Sequence, residues 1–161
     1  KPAQQTMKTS ITAGPAKSAE FGRFSAQTNP AHGTVLSPVF RATPQVWAQI
    51  RTVNTLFETP AQGQFIASPN PVAEKARAQG LIPTTPFANG YQDFNSYWGY
   101  RVWYSAATGA HGAGGGIASA WRPSCGLALT DEVADGNGAK VTFQHGFITW
   151  QPWVGATVSC P

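Results

Sequence analysis

Apolar and polar positions alternate along this chain in short runs, broken repeatedly by glycine and proline. Val141-Thr142-Phe143 and Phe147-Ile148-Thr149-Trp150 flank Gln144-His145-Gly146, a pattern that predicts two strands joined by a tight hairpin turn. Tyr100–Ser105 reads as a sibling strand. Helical spacing is rarer. It predicts a short helix over Pro71–Gln79, where Val72, Ala76 and Gln79 share a side and Gly80 can close the C-terminus. Ile117–Trp121 predicts a second, cut short by Pro123. Thr43-Pro44 reads as the entry to a third, with Thr as N-cap, Pro in the first turn, and Val46, Ile50 and Val53 following at helical spacing beside Trp47. Residues 1–33 hold few large apolar anchors and predict an extended arm, suited to adding a strand elsewhere. Gly112–Gly116, broken only by Ala113, has nothing to pack and predicts a flexible loop or a close backbone contact.

These patterns recur. Gly80–Gly115 slides onto Gly126–Pro161 without gaps at an offset of 46, pairing Gly80 with Gly126, Thr84 with Thr130, Gly90 with Gly136 and Gly109 with Gly155. Val102 then meets Ile148, and Tyr104 meets Trp150. Leu56–Gly63 echoes Val102–Gly109 and Ile148–Gly155 at the same offset. Repetition at this period marks a supersecondary unit that must stack on its neighbours to bury its apolar face. Three pseudo-equivalent units follow, at about 34–79, 80–125 and 126–161, the first degenerate and the last without the segment beyond its glycine. The expected fold is mainly β with short helices: three repeats of about 46 residues around a common centre, propeller-like or as a compact array, preceded by the arm.

Composition agrees with many short strands and turns. The 161 residues include 17 Gly and 13 Pro, with 12% aromatic and 11% charged residues. That aromatic share supplies apolar area enough to argue against disorder. The net charge of +4 comes from scattered Lys and Arg, without the basic stripe that a nucleic-acid surface needs. Cys125 and Cys160 bracket the last unit, where a disulfide would close it; two buried free thiols are the alternative. With an even cysteine count and no leader or transmembrane run, the chain reads as the processed, exported form of a protein.

Candidate chemistry centres on aromatics. Trp98, Tyr100, Trp103, Tyr104, Trp121, Trp150 and Trp153 crowd the repeated half. Aromatic rings cover the C–H faces of sugars, and Asn95, Gln144, Thr149 and Gln151 offer neutral hydrogen-bond partners for sugar hydroxyls. If Val102 and Ile148 point inward, alternation turns Trp103 and Thr149 to the other face and returns Tyr104 and Trp150 to the core. Trp98, Trp103, Trp153, His111 and Gln151 are therefore the expected ligand contacts. His32, His111 and His145 lack zinc spacing. Asp131, Glu132, Asp135 and Asn137 fit no EF-hand, so no metal or other cofactor is expected. No nucleophile elbow is present; Glu58 and Asp93 are the pair a hydrolase would need, and catalytic residues are not assigned.

Tyr104–His111, Gly116-Ile117, Trp121, Gly126–Val133 and Phe143–Trp150 together resemble LGFP repeats, over roughly residues 75–158 with a weaker echo back to about 50. The chain departs from that pattern at its namesake, reading Gly126-Leu127-Ala128-Leu129 and Gly80-Leu81-Ile82-Pro83. Cys125 also stands where a small residue is usual, and the N-terminal third carries no match. The resemblance implies a secreted actinobacterial cell-envelope protein that holds wall polysaccharide, of arabinogalactan or peptidoglycan type, without catalysing a reaction. Two other functions fit the residues: a self-assembling surface protein whose residues 1–33 complete a neighbour, and a small secreted hydrolase.

Overall fold

The computed structural model describes residues 19–161, so part of the expected arm, residues 1–18, lies outside the described residues. The described residues form three antiparallel sheets with short helices. The chain divides into two compact units, one ending at Ala73 and one beginning at Glu74.

In the first unit, α1 (Ala19–Ser25) is followed by a 3₁₀ turn at Pro30–His32 and a meander of β1 (Phe40–Thr43), β2 (Val46–Ile50), β3 (Asn54–Glu58) and β4 (Phe65–Pro69), in that spatial order. Two expectations are corrected here. Residues 19–25 are helical, not extended, because Glu20 and Phe24 lie one helical turn apart and both are buried. Phe24 packs edge-on against Phe65 at 4.8 Å, beside Val39 and Leu56. Arg23 pairs with Glu58, and Arg51 donates to the Phe24 carbonyl at 2.8 Å. The helix expected from Thr43 is instead a hairpin: Pro44-Gln45 turns the chain from β1 into β2. Val46, Ala48 and Ile50 also satisfy a period of two, and pairing with β1 and β3 holds them extended and buried.

α2 (Asn70–Arg77) matches the helix expected over Pro71–Gln79. The second unit then holds β5 (Tyr91–Phe94), β6 (Tyr100–Ser105) and β7 (Gly109–Gly114) in one sheet, followed by α3 (Gly115–Ala120). β8 (Val133–Asp135), β9 (Gly138–Phe143), β10 (Gly146–Gln151) and β11 (Gly155–Ser159) form the next, ordered β11-β10-β9-β8. Phe143 pairs with Gly146 across the two-residue turn Gln144-His145, the hairpin expected. One core joins these elements: Trp103, Ile117, Cys125, Val141, Phe143 and Ile148. Cys125 and Cys160 are disulfide-bonded, with Cα atoms 5.0 Å apart.

Local geometry recurs along the chain. Gly63, Gly109 and Gly155 stand 46 apart with φ of 83°, 76° and 85°. A left-handed backbone of that kind is easy only for glycine. Gly33, Gly80 and Gly126 form a second trio, at 82°, 71° and 79°. Just beyond each of these, one reciprocal pair repeats. Thr34 N–H donates to Thr52 Oγ1, Ile82 N–H to Asn95 Oδ1, and Leu127 N–H to Gln144 Oε1. The N–H of Thr52, Asn95 and Gln144 donates back to the carbonyl of the same partner.

Candidate functional site

The second unit contains a cleft of about 940 Å³. Its floor is the glycine run at the end of β7 and the start of α3, and its walls are aromatic. Glycine is required there by space. A Cβ at Gly112 would lie 2.0 Å from the Tyr100 hydroxyl, and one at Gly116 would lie 2.4 Å from Trp150 Cδ1. The side chains absent from the run are replaced by the rings of its neighbours, so Gly112–Gly116 is the close backbone contact and not a loop.

Trp98 stands 76% exposed, against the backbone at Gly115 and edge-on to Tyr97 at 4.6 Å. Trp150 lies over Gly116 and is 37% exposed. Tyr100 accepts a hydrogen bond from Gln79 Nε2 at 2.8 Å. Burial, reinforced by the negative charge of Asp131, pushes the Tyr100 phenol up to about 12, so it is a neutral hydroxyl at physiological pH.

The far side of the cleft is acidic. Asp131 Oδ1 accepts from Gly112 N–H at 3.2 Å and Glu132 Oε1 from Gly114 N–H at 3.0 Å, so two carboxylates cap the outer edge of β7. Glu132 N–H donates to the Gly112 carbonyl at 3.2 Å and completes the cap. Lys75 pairs with Asp131. Burial alone would raise the Asp131 carboxyl, but hydrogen bonds from Lys75 and Gly112, with the Lys75 charge, outweigh it and hold the group below its ordinary range.

The expected ligand residues separate. Trp98 lines the cleft. Trp103 does not: it is fully buried against Phe143 and Trp121, with ring centroids 5.1 Å and 6.0 Å away. Alternation fails at Trp103 because β6 is the middle strand of its sheet and both of its faces are covered, Val102 being buried as completely. Trp150, expected in the core, shares a face with Ile148 but overlies the glycine start of α3, where no side chain encloses it. Trp153 is fully exposed at the β10–β11 turn with φ 68°, away from the lining of this cleft. Gln151 spends its amide on the Asp135 carbonyl at 2.9 Å. His111 is a brace: Nε2 donates to the Thr108 carbonyl at 2.8 Å, and Nδ1 lies 3.3 Å from Asp131.

Sequence reasoning missed Gln79, Lys75 and the Asp131-Glu132 pair as cleft residues, and named Tyr100 only among the aromatics of the repeated half. Only the glycine run beside a tryptophan-rich segment signalled them.

The carboxylates considered for hydrolysis are engaged elsewhere. Glu58 is tied to Arg23 and accepts from Gly63 N–H at 2.9 Å. Asp93 accepts two hydrogen bonds from Arg101, at 2.7 Å and 3.1 Å. Among the described residues no group of three or more His, Cys, Asp or Glu is placed to hold a metal ion, and no helix is long and apolar enough to cross a membrane.

The cleft therefore presents ring faces, a neutral hydroxyl and amide, and two carboxylates with one ammonium beside a bare backbone. No protein-family model matches the chain, and no curated protein matches it.

Proposed function

We propose that this protein is a secreted, non-catalytic module that attaches to cell-wall polysaccharide, and that its cleft is the binding site. The observation that carries the reading is the pair Trp98 and Trp150, both lining an open cleft whose backbone runs through Gly115 and Gly116, with the Trp150 ring directly over Gly116. Two exposed indoles beside bare backbone give a sugar ring a surface to stack on, with room for its substituents. Ser96, Gln79 and the neutral Tyr100 hydroxyl supply partners for sugar hydroxyls. The Cys125–Cys160 disulfide suits an oxidising, extracytoplasmic compartment.

The recurring glycines and reciprocal pairs support three copies of one unit of the LGFP kind. Each copy is a short helix, a positive-φ glycine and a meander: α1, Gly33 and β2–β4; α2, Gly80 and β5–β7; α3, Gly126 and β9–β11.

The test is co-sedimentation with actinobacterial cell walls stripped of protein. Retention that soluble arabinogalactan fragments compete away, and that Trp98→Ala or Trp150→Ala weakens, is the expected result. No retention at tens of micromolar protein would refute the reading and favour self-assembly.

A further inference from the structure

Resting on the glycan-binding reading above, we infer that the cleft selects neutral glycan and rejects anionic glycan. Galactan- or arabinan-type chains would then be its ligands, and carboxylate-bearing peptidoglycan would not.

A glycine run turns backbone N–H groups toward a ligand, and such donors are what a protein ordinarily offers a carboxylate or phosphate. Here the donors are already spent: Gly112 N–H goes to Asp131 Oδ1 and Gly114 N–H to Glu132 Oε1. The cation in the lining, Lys75, is paired with Asp131 as well. The cleft thus holds two carboxylates against one ammonium, with the Gly112 and Gly114 N–H groups along β7 satisfied from within.

What remains open to a ligand is of another kind. The Tyr100 oxygen accepts from Gln79 and leaves its own O–H to donate. Trp98 and Trp150 offer ring faces. A neutral sugar, whose hydroxyls both donate and accept, can use all of these and can also donate to the exposed carboxylate of Glu132. An anionic substituent placed along β7 beside Glu132 meets a like charge, and the Gly112 and Gly114 N–H groups there are already taken. A single repulsion at contact distance in a solvated cleft weakens binding roughly fivefold or more, and salt screens it.

The experiment follows tryptophan fluorescence while the protein is titrated with two probes, at low and high salt. One is a neutral galactan tetrasaccharide, and the other is the same tetrasaccharide oxidised at C6 to uronates. The expected result is binding of the neutral probe, with the uronate at least about fivefold weaker and the gap narrowing in high salt. Glu132→Gln keeps an oxygen for Gly114 N–H while removing the charge, and it narrows the gap at low salt. Equal or tighter uronate binding overturns the inference and leaves glycan attachment standing. Failure of both probes while stripped walls still retain the protein also overturns it. Failure of both probes together with loss of wall retention overturns the underlying function instead.

Discussion

Trp103 is enclosed by Phe143 and Trp121, whereas Trp98, nearby in the chain, is left 76% exposed. Truncating each therefore reads out a different property. Trp103→Ala empties part of the core and is expected to cost about 3–5 kcal/mol of stability, seen as a lower urea midpoint. Trp98→Ala is expected to leave that midpoint nearly unchanged while weakening wall binding roughly fivefold, about 1 kcal/mol. Trp150→Ala, which also uncovers Gly116, is expected to weaken binding as much and to lower the midpoint by less than Trp103→Ala does. If Trp98→Ala unfolds the protein, the assignment of that ring to the ligand fails. Glu58 carries a second prediction at this scale. Its burial would raise the carboxyl, but hydrogen bonds from Arg23 and Gly63, with the Arg23 charge, hold it below the ordinary value. A folded-state value below the unfolded one adds stability that is present above the unfolded value and is lost as pH falls through the folded one. Thermal melts of the parent protein should lose stability on acidification below about pH 4.5. Glu58→Gln is expected to flatten that dependence and to cost about 2 kcal/mol at neutral pH. A pH profile that the substitution leaves unchanged would show that the pair contributes nothing.

At the scale of elements, the glycine run shows how backbone makes a site. Gly116, in the first turn of α3, has no left-handed backbone, so alanine there is compatible with the helix and its cost comes from space alone. Its Cβ would nevertheless meet the Trp150 ring at 2.4 Å and displace it from the cleft wall. Gly116→Ala is therefore expected to weaken wall binding as Trp150→Ala does, with an altered near-ultraviolet circular dichroism spectrum. Retained affinity would mean that Trp150 is not a contact. β2 illustrates a different kind of decision. The stretch Val46–Ile50 fits both helical and strand spacing, and the partners Phe40–Thr43 and Asn54–Glu58, supplied by tertiary pairing, settle it as a strand.

For the whole molecule, the disulfide is the longest covalent constraint. It spans 35 residues, from the buried Cys125 to Cys160 just beyond β11, and so encloses β8–β11. In the chain-entropy model closing a loop of that length contributes about 4 kcal/mol. Urea denaturation with and without reductant should show a loss of that order, and no shift in midpoint would place the stability of this segment in packing alone. α3 packs against both β10 and β11, and Ile117, Val141 and Ile148 share one core. Unfolding of the reduced protein is therefore expected to remain cooperative across the second unit.

How much could be read before folding is clearest from particular residues. Short-range physics makes the β9–β10 hairpin, the helix near Pro71 and the period of 46 legible in the chain, because a turn, a cap or a required glycine is written in adjacent residues. The positions of Cys125 and Cys160 likewise suggest their bond. The cleft is not legible in that way. Which tryptophan is buried depends on whether a strand is central or terminal in its sheet, and on what lies across from it. Trp103 is enclosed because both faces of β6 are covered, and Trp150 stays open because a glycine faces it. Asp131 and Glu132 become part of the site only because the fold brings them alongside the edge of β7. The local sequence determines the strands, turns and repeating glycines; burial and charge at the site depend on contacts between residues distant in the chain, which only the tertiary structure decides.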